Sequence, residues 1–203
     1  MTSEQGSQEG NWGNPNGGNS PSSTNRGGNA NAGRNTGDVF GTTLQTVYEG
    51  VASAARGGHK SGISVLEAVS SVVRPVVRES LASASGASAV EGSKAIVLGV
   101  LRGTGEKDQA ALKTLSHTVR TVIRETAQLN GDVAGVASGL VLGAIESTKL
   151  TGVEPSRAVS EVTRAAIEEA DQIGASAAEK VRDTLKKKEI GGVRIPIPGL
   201  DQE

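Results

Sequence analysis

Four short stretches recur along the chain at near-regular intervals: GDVFG at Gly37, GASAVEG at Gly86, GDVAG at Gly131 and GASAAEK at Gly174. The match extends between them to apolar and charged positions. Laying the stretch from Leu66 over that from Leu112 pairs Leu66 with Leu112, Val69 with Leu115, Val73 with Val119, Val76 with Val122 and Val77 with Ile123. Arg74, Arg78 and Glu79 then fall on Arg120, Arg124 and Glu125. A further shift of 44 residues brings Leu115 onto Val159, Ile123 onto Ile167, Glu125 onto Glu169 and Leu129 onto Ile173. A bias toward Ala and Gly would not align charges as well. The chain is therefore a tandem repeat of about 44 to 49 residues. Each unit must offer the same faces to its neighbours, which restricts the fold to stacked units of one supersecondary type.

Within a unit, two apolar segments are separated by a Gly-containing turn, as in SKAIVLGVLRGTG before LKTLSHTVRTVIRETA. Apolar residues in the second segment fall three and four apart, the signature of one helix face. The unit reads as helix A, turn, helix B, and the fourth copy stops after one helix. Terminators agree with this reading. Pro155 suits a first helical turn, Gly131 and Gly174 follow Leu129 and Ile173 at C-cap spacing, and Lys186, Lys187 and Lys188 complement a helix dipole. Pro75 falls mid-helix in the first copy, where it should kink helix B at a cost of about 3 kcal/mol relative to Ala. Trp12, Phe40 and Tyr48 are the only aromatic residues, so the core must be built of Val, Leu, Ile and Ala, which suits helices better than a sandwich. The expected fold is all-α: about three and a half helical hairpins forming a short α-solenoid or a compact seven-helix bundle. The aromatic signature of tetratricopeptide repeats and the TPLH pattern of ankyrin repeats are both missing.

Residues 1–36 contain no Val, Leu, Ile or Phe and are rich in Gly, Asn and Ser. Such a segment has no apolar surface to offset chain entropy and is expected to be a disordered tail. Residues 37–190 form the repeat domain, and residues 191–203, with Pro196 and Pro198, an extended tail. With 21 basic and 22 acidic residues the chain has no global charge to attract nucleic acid, and none is expected as a partner. There is no Cys. The start MTSEQGSQEG lacks a basic patch followed by an apolar run, so the expected location is cytoplasmic. The apolar runs AIVLGVL and GLVLGAI fall short of the roughly 18 residues that span a bilayer.

The stretch GDVAGVASGLVLG places Gly131, Gly135, Gly139 and Gly143 four residues apart, and Gly99 and Gly103 repeat that spacing once. On a helix such a row makes a groove into which another backbone can approach. It predicts a tight helix contact within the chain, self-association into a homo-oligomer, or insertion into a lipid surface. Each internal Gly costs roughly 0.5–1 kcal/mol relative to Ala, so the row must be offset by packing.

Chemistry is sparse. His59 and His117 stand apart with no second ligand at metal spacing, and there is no G-x-S-x-G elbow. The turns RGGHKSG and RGTGEKD lack phosphate-loop spacing. No cofactor, metal or catalytic residue is expected. The repeated RxxxRE motif is the strongest candidate surface: Arg74 and Arg78, then Arg120 and Arg124, each share a helix face. Stacked, these guanidinium groups would either hold a partner's phosphates or carboxylates or pair with Glu of the next hairpin. The third copy offers only Arg164 with Glu168 and Glu169.

In the C-terminal VRIPIPGL, Ile195-Pro196-Ile197 resembles the I-x-I docking peptide of small heat-shock proteins, which implies that Ile195 and Ile197 would fill a groove on a partner. Alternatively these residues, with Val193 and Leu200, cap the end of the array. The chain is thus expected to be a non-enzymatic binding or scaffolding module acting through self-association or a protein partner. The alternative is a lipid- or granule-surface coat or stress-protective protein whose amphipathic helices order on an apolar interface, in the general manner of phasins.

Overall fold

The computed structural model describes residues 32–186, all seven of whose regular elements are helices: α1 (Ala32–Ser61), α2 (Val65–Ser80), α3 (Ala87–Thr104), α4 (Asp108–Gln128), α5 (Val133–Thr151), α6 (Pro155–Ile173) and α7 (Ala175–Lys186). The expected tails lie outside the described residues from 1 to 31 and from 191 onward, and Ile195 and Ile197 with them. Residues 32–36, expected in the N-terminal tail, instead form the start of α1. Extending a helix already nucleated by a packed segment costs little, so composition alone places this boundary late.

Among the described residues each helix packs only on helices one or two places away in the chain. The odd helices make one layer and α2, α4 and α6 a second. Residues in contact across a layer advance together: Gly99 meets Leu44 and Val47 while Gly103 meets Tyr48 and Val51. Helices within a layer are therefore parallel, as a stack of like hairpins requires. The seven-helix bundle is built by adding one hairpin at a time, in line with the repeat.

Equivalent positions of the B helices form the core. Val69, Val73, Val76 and Val77 of α2, Leu115, Val119, Val122 and Ile123 of α4, and Val159, Val162, Ala166 and Ile167 of α6 are all buried. The outward positions of α6, including Ser156, Arg157, Ser160 and Arg164, are polar, so the last B helix closes its own end of the layer. Helices α3 and α5 are flanked on several sides, and α3 is buried without interruption from Ala95 to Leu101. GLVLGAI belongs to α5, which by length and composition is apolar enough to cross a membrane. The expectation that no segment reaches that threshold is corrected: Val and Ala flanking the short run raise the mean hydropathy of the whole helix. Half of that stretch is buried in the bundle.

The turns explain the glycines better than the sequence pattern does. Helices α3 and α5 end on Gly105 (φ 65°) and Gly152 (φ 75°), left-handed caps that L side chains adopt rarely. Gly57 and Gly58 do not form a turn; α1 continues through them to Ser61. Gly131 does not cap α4 by a left-handed conformation, since Asn130 takes the positive φ of 55° in its place. Asp132 then caps α5, accepting from the Gly135 amide at 2.9 Å and from the Gly86 amide at 3.0 Å. One carboxylate thus ties the GDV joint to the preceding GAS joint. Ser64 and Glu67 form a capping box on α2, and Pro155 opens α6 as expected. Helix α2 runs through Pro75, which is exposed.

Candidate functional site

The glycine rows are filled from within the chain. A Cβ on Gly139 would fall onto the Val90 carbonyl oxygen and Ser93 Oγ of α3, and one on Gly143 would sit 3.0 Å from the Lys94 carbonyl oxygen and 2.9 Å from Val97 Cβ. Gly99 and Gly103 do the same against α1, at 2.9 Å from the Leu44 carbonyl oxygen and 3.0 Å from that of Tyr48. Helix α1 docks on α3, and α3 docks on α5, each through two glycines spaced by four. Gly135 lies at the start of this contact, where its added Cβ would be 3.3 Å from Ala89 Cβ. Gly131 is not on the helix and packs against Thr126 instead. The groove that the sequence offers to a second copy is occupied, at Gly139 and Gly143, by the chain's own α3.

The RxxxRE motifs form a ladder between B helices. Arg78 donates from Nε (3.1 Å) and Nη2 (2.9 Å) to Oε2 of Glu125, while Arg74 Nε lies 3.5 Å from Oε1 of the same carboxylate. One repeat on, Arg124 donates to Glu169 at 2.7 Å and Arg120 to Glu168. Each Arg therefore reaches a Glu of the following hairpin. Glu125 and Glu169 are buried (side chains 8% and 2% exposed), and the arginines above them are about half exposed. Glu79, the first-copy equivalent of Glu125, is exposed, with no hairpin before its own among the described residues. Arg164 turns back onto Glu161 and Glu168 of its own helix, with no further B helix beyond α6 among the described residues. The stripe of Arg74, Arg78, Arg120 and Arg124 is thus structural in its first engagement, with its outer faces still open to water.

His117 faces Ser70, whose hydroxyl lies 2.7 Å from Nε2. Burial pushes the imidazole pKa down, outweighing the opposing hydrogen bond to the Leu66 carbonyl, and Arg124 and Arg74 push the same way. The ring is thereby biased toward its uncharged form, in which it shares one hydrogen bond with the Ser70 hydroxyl. A serine and a histidine at this distance invite a nucleophilic reading. The next repeat argues otherwise, because Ser116 contacts Glu161 at the equivalent place. The pair is one rung in a series of cross-helix polar contacts. Among the described residues no group of three or more His, Asp or Glu side chains is placed to hold a metal ion.

An open groove of about 610 Å³ lies between α4 and α6. Its walls carry Lys113 and Arg120 from α4 and Arg157 and Arg164 from α6, over a floor that includes Leu66 and Leu112. Of these cations only Arg120 belongs to the stripe expected from the sequence. The signal for the others was present: Lys113 and Arg157 are 44 residues apart, as are Arg120 and Arg164. The hydrogen bond from Arg120 holds the Glu168 carboxyl below its ordinary range, against the opposing effect of burial. Burial raises Glu161, but hydrogen bonds from Arg164 and Ser116 outweigh it and hold that carboxyl low as well. Both acids remain charged far below neutral pH.

Compared with protein-family models, with curated proteins and with solved structures, the chain matches none.

Proposed function

We propose that this chain is a non-enzymatic helical-repeat module that binds or scaffolds, engaging a protein partner or a second copy of itself in the cytoplasm. The observation that carries the reading is the division of labour between faces. Val, Leu and Gly stripes are consumed inside the bundle, whereas the layer of α2, α4 and α6 presents repeated polar rungs and a basic groove to solvent. A surface coat needs a broad apolar helix face to offer to lipid. The exposed large apolar side chains among the described residues are Tyr48, Ile63 and Ile173, on separate parts of the fold. Stacked repeats use their extended surfaces for binding, and a face built from equivalent positions suits that use.

The test is far-UV circular dichroism with thermal melting, at two protein concentrations and with or without anionic vesicles. A helical, cooperative transition indifferent to vesicles is expected. A midpoint that rises with protein concentration would identify the second copy as the partner. Low helicity that climbs only when vesicles are added would replace this reading with the coat.

A further inference from the structure

The charge in the groove between α4 and α6 is not balanced by the ladder. Arg120 and Arg164 are engaged by Glu168 and Glu161. Lys113 is exposed and makes no ion pair among the described residues, and Arg157 is exposed with a neutral partner, Gln109 Oε1, at 3.3 Å. Two cations without carboxylates therefore stand at equivalent positions of neighbouring helices. Beside them the groove exposes part of Leu66, which is only half-buried. The corresponding place between α2 and α4 differs in charge: Glu67 stands at the position equivalent to Lys113.

We infer that this groove is the docking site for an acidic peptide segment of a protein partner, whose carboxylates meet Lys113 and Arg157 while an apolar side chain covers Leu66. The inference rests on the partner-binding reading above. Charge complementarity selects an anion, and the apolar patch at Leu66 selects a chain over a small ion. Lys113 and Arg120 are seven residues apart on α4, as are Arg157 and Arg164 on α6. At 1.5 Å rise per residue that is about 10 Å, the length of about three extended residues. A single phosphate held between Lys113 and Arg157 has nothing to place on Leu66, whereas a peptide can cover it with an apolar side chain. Carboxylates already satisfy Arg120 and Arg164 in this groove, so a partner's acidic side chains would extend an arrangement that is present.

The experiment is fluorescence anisotropy of the full chain with a labelled Asp/Glu-rich peptide carrying one central leucine. A control peptide has Asn and Gln in place of the acids. The wild type is expected to bind the acidic peptide and not the control, and to bind more weakly as salt rises. Lys113→Glu with Arg157→Glu should weaken binding at least about tenfold. Arg56→Glu with Arg102→Glu, the same charge change at exposed sites away from the groove, should alter it by less than about twofold. The neutral pair Lys113→Gln with Arg157→Gln, which adds no repulsion, should lose an intermediate factor and serves if charge reversal disturbs folding. Equal weakening in the groove and control variants would overturn the site. So would displacement of the peptide by inorganic phosphate at matched charge, which would assign the groove to a free anion. No binding by a chain that stays helical and indifferent to vesicles overturns the groove alone, whereas helix gained on vesicles overturns the reading beneath it.

Discussion

Gly139→Ala is expected to destabilise the protein by roughly 2–3 kcal/mol, although alanine is the better helix former. In an open helix position the same change should stabilise by roughly 0.5–1 kcal/mol. Gly41 in α1 is such a position, since a Cβ there would meet nothing within 4 Å. At Gly139 the added methyl collides with the Val90 carbonyl oxygen, a backbone atom of α3 that cannot move without shifting the helix. The two substitutions should therefore shift the thermal midpoint in opposite directions. A domain of this size changes by about 2–4 °C per kcal/mol, so Gly139→Ala should melt about 4–12 °C lower and Gly41→Ala slightly higher. Stabilisation by both would mean that α3 and α5 do not approach as closely as the stack requires.

Removing Arg124 is expected to cost more than removing the Glu169 that it pairs with. Glu169 is buried, its Oε1 accepts from Arg124, and its Oε2 has no hydrogen-bond partner. Arg124→Met leaves that carboxylate without its counter-charge, which should destabilise by roughly 2–3 kcal/mol, less than for a fully buried pair because Arg124 is half exposed. Glu169→Met buries a methionine where a charge was, and the freed guanidinium can turn to water, so the loss should be about 1 kcal/mol or less. The double variant should resemble Glu169→Met alone. Chemical denaturation of the four proteins gives the coupling directly. Additive losses would remove the ladder from the forces that join the hairpins.

The repeat, its two-helix content and the apolar faces of helix B could all be read from the chain, because core positions such as Val77, Ile123 and Ile167 carry the helical period in every copy. Pro155 could be read as well, since few other places in a hairpin accept proline. The bounds of α1 could not: Gly57 and Gly58 resemble a turn, and Ala32 to Thr36 resemble a tail, until the packing of α1 on α3 is known. Nor could the partner of the glycine row, because the spacing of Gly139 and Gly143 suits any close backbone, and only the fold shows that α3 supplies it. The Arg stripe was legible as a stripe and ambiguous in its partner for the same reason. Lys113 and Arg157 were overlooked because neither belongs to the RxxxRE motif on which the repeats align most visibly. Their equivalence becomes meaningful only when α4 and α6 are seen side by side.

The stack orders itself, with α3 and α5 locked between their neighbours by the glycine contacts. Amide hydrogen exchange read by mass spectrometry on the full chain in buffer, without lipid, tests this most directly. The prediction is that peptides from α3 and α5 exchange last, near the limit set by global unfolding, and that anionic vesicles leave the pattern unchanged. Rapid exchange of α5 in buffer, with protection acquired only on vesicles, would contradict it.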